Sequence, residues 1–323
     1  MAEPQRDVGA SFGTAATEYA ADRAVGVPPG SEGEADVAGR SQLQLAFRRF
    51  IHHRMALAGL GIFVLLVAVA FIAPSFWKWN YADITPEFAS GPSAAHPFGT
   101  DTIGHDLFAQ VLTATQTSLK TAFIVTVIAT VLGTVIGAVA GYYGKLADAT
   151  LMRFTDLVLT VPLLALLLVL ANVLSRQSSN YFWIAIIIAA VFWTYLARLV
   201  RGTFLSLREH DYVVAARAIG STDKRIIFRH MIPNAVGPIV VNATLTVANA
   251  ILIESALSFL GLGIQPPEVS LGSLINEGQG SATTEWWLFA FPSAVLVLII
   301  LAINFVGDGL RDALDPRQTR VRA

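Results

Sequence analysis

The sequence predicts an all-α, polytopic membrane bundle of six transmembrane helices, and three observations carry that expectation. Six runs without an acidic or basic side chain are each long enough to cross a bilayer. Only 14% of the residues are charged and 54% are hydrophobic, whereas a soluble domain carries about 25% charged residues. Lysine and arginine gather in alternate connecting segments, as they do when a chain is threaded back and forth through a membrane.

The runs are residues 55–77, 121–144, 157–175, 177–197, 231–253 and 286–307. About 20 helical residues at about 1.5 Å rise cross the hydrocarbon core, so each run suffices. Only Arg176 separates the third from the fourth, and Ser175-Arg176-Gln177-Ser178-Ser179-Asn180 reads as a turn. One set of flanks and loops (40–54, 142–156, 198–230 and the segment after Gly307) holds 4, 2, 7 and 4 basic residues. The opposite set holds only Lys78 and Arg176, with Lys120 at a boundary. This asymmetry places both termini in the cytoplasm of a bacterial inner membrane. Trp77, Trp79, Trp183, Trp286 and Trp287 cluster at the other edge, as an aromatic belt does.

Residues 1–46 differ in kind. Three Arg stand against seven Asp and Glu among Ala, Gly and Ser, too little apolar surface to order the chain, so a disordered cytoplasmic tail is expected. It lacks the basic start and apolar stretch of a secretory signal. The membrane-spanning body is expected over 47–316 and a short cytoplasmic tail over 317–323.

Several functions are excluded or disfavoured. Cysteine is absent, so there is no disulfide, thiolate zinc site or thiol nucleophile. The net charge of −1 gives no reason to expect nucleic acid. No G-x-x-x-x-G-K-[ST], G-x-S-x-G or H-E-x-x-H occurs, so neither a nucleotide-hydrolysing loop nor a hydrolase or zinc-protease site is encoded. The expectation is a chain with no catalytic residue, no metal and no cofactor of its own. His52 and His53, beside Arg54, read as interfacial. His96, Asp101, His105 and Asp106 have ligand chemistry, but capping and turn roles are the better reading.

Ionisable groups inside spans mark ion or proton pathways, and few exist here. Asp156 opens the third run, three residues after Arg153 on the same helical face. Glu254 lies deeper, with Ala250 and Ser258 on its face. It is either a pathway group or a carboxyl hydrogen-bonded within the bundle. Glu254, Ser258 and Asn249 are the candidates for a substrate pathway. Gly133, Gly137 and Gly141 form a strip along the second run, suited to close backbone packing with a span of this chain or with another subunit.

The most informative segment is the loop 198–233, too long for a simple connection between helices. Asp211 can cap a short helix over 212–219, and Gly220 suits the left-handed residue after it. Ser221, Thr222 and Asp223 offer a cap for a second helix running to Ile232, with Pro233 starting the next span. Ala215, Ala216 and Ala218 are small enough for close docking into a groove on another protein.

Ala215-Ala216, Gly220 and Ile232-Pro233 resemble the EAA loop of binding-protein-dependent ABC importer permeases, with Val214 in place of the usual Glu. His96-Pro97-Phe98-Gly99-Thr100-Asp101, Leu151-Met152-Arg153-Phe154-Thr155-Asp156, the stretch from Glu254 to Gly263, Pro266-Pro267 and the stretch from Gly307 to Pro316 resemble the second permease of dipeptide, oligopeptide and nickel importers. The resemblance covers about residues 45–316. His105 stands where an Arg is usual.

The resemblance implies the type I ABC importer permease fold and a heterodimer with a second, homologous permease. It further implies two cytoplasmic ATPase subunits or domains, which carry the ATP and Mg, and an extracytoplasmic substrate-binding protein. Lipid surrounds the whole. The ATPase-coupling residues are then Tyr212, Ala215, Ala216, Arg217, Ala218, Gly220 and Ser221. Peptide is the expected substrate, with nickel or another small solute as the alternative. An ion-coupled carrier and a non-transporting scaffold are the competing classes.

Overall fold

The computed structural model describes residues 42–174 and 180–314; the turn expected at 175–180 falls mostly outside them, as do most of the N-terminal and all of the C-terminal tail. Contacts divide the chain into Met1–Leu45 and Ala46–Ala323, and the second unit is the bundle. The first helix, α1, runs Gln42–His52, so helix begins inside the segment expected to be a disordered tail. The spacing of Leu43, Phe47, Phe50 and Ile51 gives it an amphipathic pattern that the low-complexity composition upstream lacks.

Helix α2 (Arg54–Ile72) follows without a loop. Its N-cap is His53, whose Nδ1 accepts a hydrogen bond from the Ala56 N–H at 3.1 Å. Helix α3 (Leu107–Tyr143) is far longer than the apolar run it contains. Its first fourteen residues carry Gln110, Thr113, Thr115, Thr117 and Ser118, which hide it from hydropathy. Most of these side chains are buried inside the bundle, where Thr117 donates to the Thr113 carbonyl and Thr121 to that of Thr117.

The third run is not one straight span. It is divided between α4 (Lys145–Thr160) and α5 (Leu163–Leu174), bent by 87°. Pro162 is the cause. It has no N–H to continue the ladder, and it holds Val161 in an extended conformation (φ −78°, ψ 131°). Five other segments are long and apolar enough to cross a membrane: Arg54–Ser75, Leu107–Tyr143, Tyr181–Arg208, Asp223–Phe259 and Trp286–Leu314. The bent pair makes six if counted as one.

Helix α6 (Tyr181–Arg208) starts on an Asn180 cap and runs well past the expected end at Ala197. Two of its three arginines are paired with carboxylates of α4: Arg198 with Asp156 at 2.5 Å, and Arg201 with Asp148 in a two-pronged contact. After the loop helices come α9 (Ile232–Phe259), α10 (Leu271–Gln279) and α11 (Trp286–Leu314). The labels α7 and α8 are kept for Asp211–Ala218 and Asp223–Ile226. Among the described residues β pairing amounts to two isolated bridges, Ile84–His105 and Thr100–Asp106.

The most extensive packing joins α3 to α6; α9 packs against both, and α11 packs mainly against α2, α9 and α10. The glycine strip makes this possible. A Cβ at Gly133 would sit 2.8 Å from the Trp193 carbonyl, one at Gly137 2.5 Å from that of Ala197, and one at Gly141 2.6 Å from the Phe204 Cβ. The strip is therefore occupied by α6 of the same chain and is not a free surface for another subunit. Elsewhere the spans expose large apolar side chains, among them Val64, Leu65, Phe123, Val131, Leu157 and Leu298. Lipid or subunit contact must cover such a surface.

The four residues with ligand chemistry between α2 and α3 are all used in the fold. Asp106 caps α3, accepting from the Ala109 N–H at 2.7 Å and from the Trp77 indole at 3.1 Å, and it pairs with the buried His96 at 2.6 Å. Asp101 accepts from the Ile103 and His105 N–H groups, and its Oδ2 lies 2.8 Å from His105 Nδ1. Among the described residues no group of three or more such side chains converges as metal ligands would.

Candidate functional site

The loop between α6 and α9 folds as a small helical unit packed on the ends of α3 and α6. His210, not Asp211, occupies the N-cap position of α7, and its ring bonds the Ser206 carbonyl instead of the helix. Asp211 falls one residue later, in the first turn. The C-terminus closes as the glycine suggested. Gly220 adopts φ +79°, its N–H donates to the Arg217 carbonyl at 3.0 Å, and the Ser221 N–H donates to that of Ala216 at 3.1 Å. These two bonds are a Schellman motif.

Helix α7 has an inner and an outer face. Val213 and Ala216, three residues apart, point inward and pack with Tyr142, Phe204, Ile226 and Met231. Ala216 is 6% exposed. It therefore belongs to the chain's own core, which corrects the expectation that it shares a docking surface with Ala215 and Ala218. The outer face carries Tyr212, Val214, Ala215, Arg217 and Ala218, all exposed, and Ile219 at its end is 82% exposed. Phe228, in the turn that follows α8, is exposed as well. Partial burial pushes the Tyr212 hydroxyl above its ordinary value of 10.0, so the face is neutral there at physiological pH.

The second loop helix is not separate from the span. Thr222 is extended at its start, α8 is a single turn, and a π-helical turn at Ile227–Met231 carries the chain directly into α9. Pro233 is the second residue of α9, in its first turn, where a missing N–H costs little after the wide π turn.

Sequence reading missed the residue that ties this loop to the bundle. Tyr142, at the end of α3, donates its hydroxyl proton to Asp223 Oδ1 at 2.6 Å. The Arg217 guanidinium lies 5.8 Å from its ring centre. Tyr142 thus holds both loop helices at once. The partners are 75 and 81 positions away, so no local pattern signals the contact. Tyr142→Phe keeps the ring and deletes the hydrogen bond, a loss of about 1 kcal/mol. We expect normal membrane insertion and a melting temperature lower by about 2–4 °C for the purified chain.

The pathway candidates separate. Glu254 is 0% exposed. It accepts from Ser118 of α3 at 2.7 Å and from Ser258 at 2.8 Å, and the Ser258 oxygen in turn accepts from the Ile264 N–H at 3.1 Å. Two glycines seal the knot. A Cβ at Gly263 would lie 2.2 Å from Ser258 Oγ, and one at Gly272 2.2 Å from the Ser255 carbonyl. Neither the cleft beside Trp77 and Trp79 nor the one between α6, α9 and α11 at Asn242 reaches Glu254 or Ser258. In this conformation the two join α3, the end of α9 and the start of α10, and they line no open path. Asn249 is on the exposed face of α9, away from them.

Comparison with known proteins agrees with this architecture. Residues 133–320 match the family described as binding-protein-dependent transport system inner membrane component, and residues 41–95 match the N-terminal TM domain of oligopeptide transport permease C. The chain is 41% identical over 283 residues to the oligopeptide transport system permease protein OppC of Mycobacterium tuberculosis, covering 87% of this chain and 97% of that one. It is 36% identical over 273 residues to the dipeptide transport system permease protein DppC of Alkalihalophilus pseudofirmus, covering 84% and 89%. The fold matches a chain of the MetNI methionine ABC transporter in an inward-facing conformation, with a TM-score of 0.54 at 18% identity over 65% of this chain and 98% of that chain. With its loop motif, its spans and these relatives together, the chain belongs to the family of binding-protein-dependent transport system inner membrane components.

Proposed function

We propose that this inner-membrane chain is one of two permease subunits that together form the translocation pathway of an ATP-driven peptide importer. The observation that carries the reading is α7. It is fixed to the bundle by its inner face and offers an uncovered apolar outer face beyond the spans. In this reading that face sits in a cleft of a cytoplasmic ATPase subunit. Movement of the ATPase on nucleotide binding then shifts α7, and α8 with the continuous α9 carries the shift into the membrane without an intervening joint. Peptide is the substrate on the strength of the relatives' names. ATP and Mg bind the partner ATPases, a binding protein delivers substrate from outside, and this chain performs no covalent chemistry.

The mechanism requires both termini and the 198–233 loop to face the cytoplasm, as the basic residues indicate. Cysteine is absent, so single cysteines can be introduced on a clean background. A membrane-impermeant thiol reagent is expected to label Ser93→Cys and Thr283→Cys in intact cells, and Lys145→Cys and Thr222→Cys only after permeabilisation. Labelling of Thr222→Cys in intact cells would sink the reading. The function itself is tested by co-purifying the partners and measuring peptide uptake in proteoliposomes. Uptake should require ATP and the ATPase; uptake by this chain without an ATPase would make it an ion-coupled carrier.

A further inference from the structure

We propose that α1 is an interfacial helix, seated in the headgroup layer of the bilayer and selective for anionic phospholipid. Three strips run along it beyond Leu45. One is held by the bundle: Phe50 Cε2 lies 3.3 Å from where a Cβ on Gly309 would sit, and His53 Nε2 is 3.4 Å from Asp312 Oδ2, both on α11. The second is apolar and uncovered. Phe47 is 67% exposed and Ile51, one turn on, is 43% exposed. The third is basic, with Arg48 and His52 exposed beside the apolar strip.

The break at His53 (φ −84°, ψ 96°) stops α1 from continuing along the axis of α2. An apolar strip flanked by the Arg48 cation, both facing away from the protein, fits a helix lying in the plane of a membrane surface. The bilayer is favoured as occupant over a protein by continuity and by charge. The strip adjoins exposed Met55, Leu57, Ile62 and Leu65 on α2, a surface that a spanning helix turns toward hydrocarbon. Arg54, exposed at the start of α2, adds a cation at the same level, and cations at that level attract anionic headgroups.

The test uses the full chain in nanodiscs. Phe47→Cys and Ile51→Cys, each carrying an environment-sensitive fluorophore, should be quenched by lipids bearing a nitroxide near the headgroup, and less by lipids bearing it at the chain end. A label on Thr222→Cys in the loop should be unaffected. Nitroxide-labelled phosphatidylglycerol should quench Ile51→Cys more than labelled phosphatidylcholine does. That preference should fall about fivefold in Arg48→Gln and again in Arg54→Gln, since one basic residue at an anionic surface contributes about 1 kcal/mol. Absence of headgroup quenching at both positions would overturn the proposal. So would equal quenching by the two lipids, or a shift of the labels only on assembly with the ATPase subunits in detergent, which would assign the face to protein.

Discussion

Gly220→Asp is expected to abolish ATP-driven uptake while leaving the chain inserted and paired with its second permease. Two effects meet at this residue. A Cβ at φ +79° costs about 1–2 kcal/mol, which loosens the Schellman turn without unfolding a bundle of this size. A Cβ there meets nothing within 4 Å inside the chain, so a larger side chain projects from the loop into whatever covers it. Ile219→Asp, at the 82% exposed C-cap of α7, should give the same loss by placing a charge in an apolar contact. Assembly, ATPase rate and uptake should be measured together in proteoliposomes. Wild-type uptake in both variants would mean that α7 is not the contact. Ala216→Trp should look different. Ala216 packs with Tyr142, Phe204 and Met231, so the larger ring disrupts the loop's own core and lowers the yield of folded protein.

The second large effect is expected at Gly137. A Cβ there would meet the Ala197 carbonyl at 2.5 Å and the Val200 Cβ at 2.8 Å. Backbone cannot swing aside as the end of a flexible side chain can, so even Gly137→Ala must push α3 and α6 apart along their most extensive contact. Overpacking costs about 1–3 kcal/mol where neighbours can yield; here they cannot, and Gly137→Leu should leave almost no folded chain in the membrane fraction. Gly61→Leu is the control, because a Cβ on Gly61 has open space around it. Monodisperse protein after solubilisation, and its melting temperature, read the outcome. Equal yields for Gly137→Leu and Gly61→Leu would refute the packing account.

How far the sequence could be read depended on the range of the interaction. Apolar runs showed the membrane class and most spans, because partition into lipid depends on a window of about 20 residues. The turn at Gly220 was legible for the same reason: its left-handed conformation is a property of one residue and its neighbours. The early start of α3 was not legible, since its polar residues are hidden only by burial inside the bundle. Nor was the overrun of α6, whose arginines find their carboxylates 42 and 53 positions away. Pro162 was in plain view. Hydropathy weighs side chains and overlooks the missing N–H, which is why one expected span is two helices at 87°.

The sequence by itself determined the solvent of this protein, the family-specific motifs and the existence of a loop helix ended by glycine. Each is fixed by local chemistry that holds whatever the rest of the chain does. Only the tertiary structure decided which face of that helix is free, that the glycine strip is spent on α6, and that Glu254 sits in a sealed knot of serines. A helix has a periodic face in any context, but whether it meets core, lipid or a partner depends on groups brought together from distant parts of the chain. Ala215 and Ala216 are chemically identical neighbours, and the rotation of one residue about the helix axis puts one outside and the other in the core.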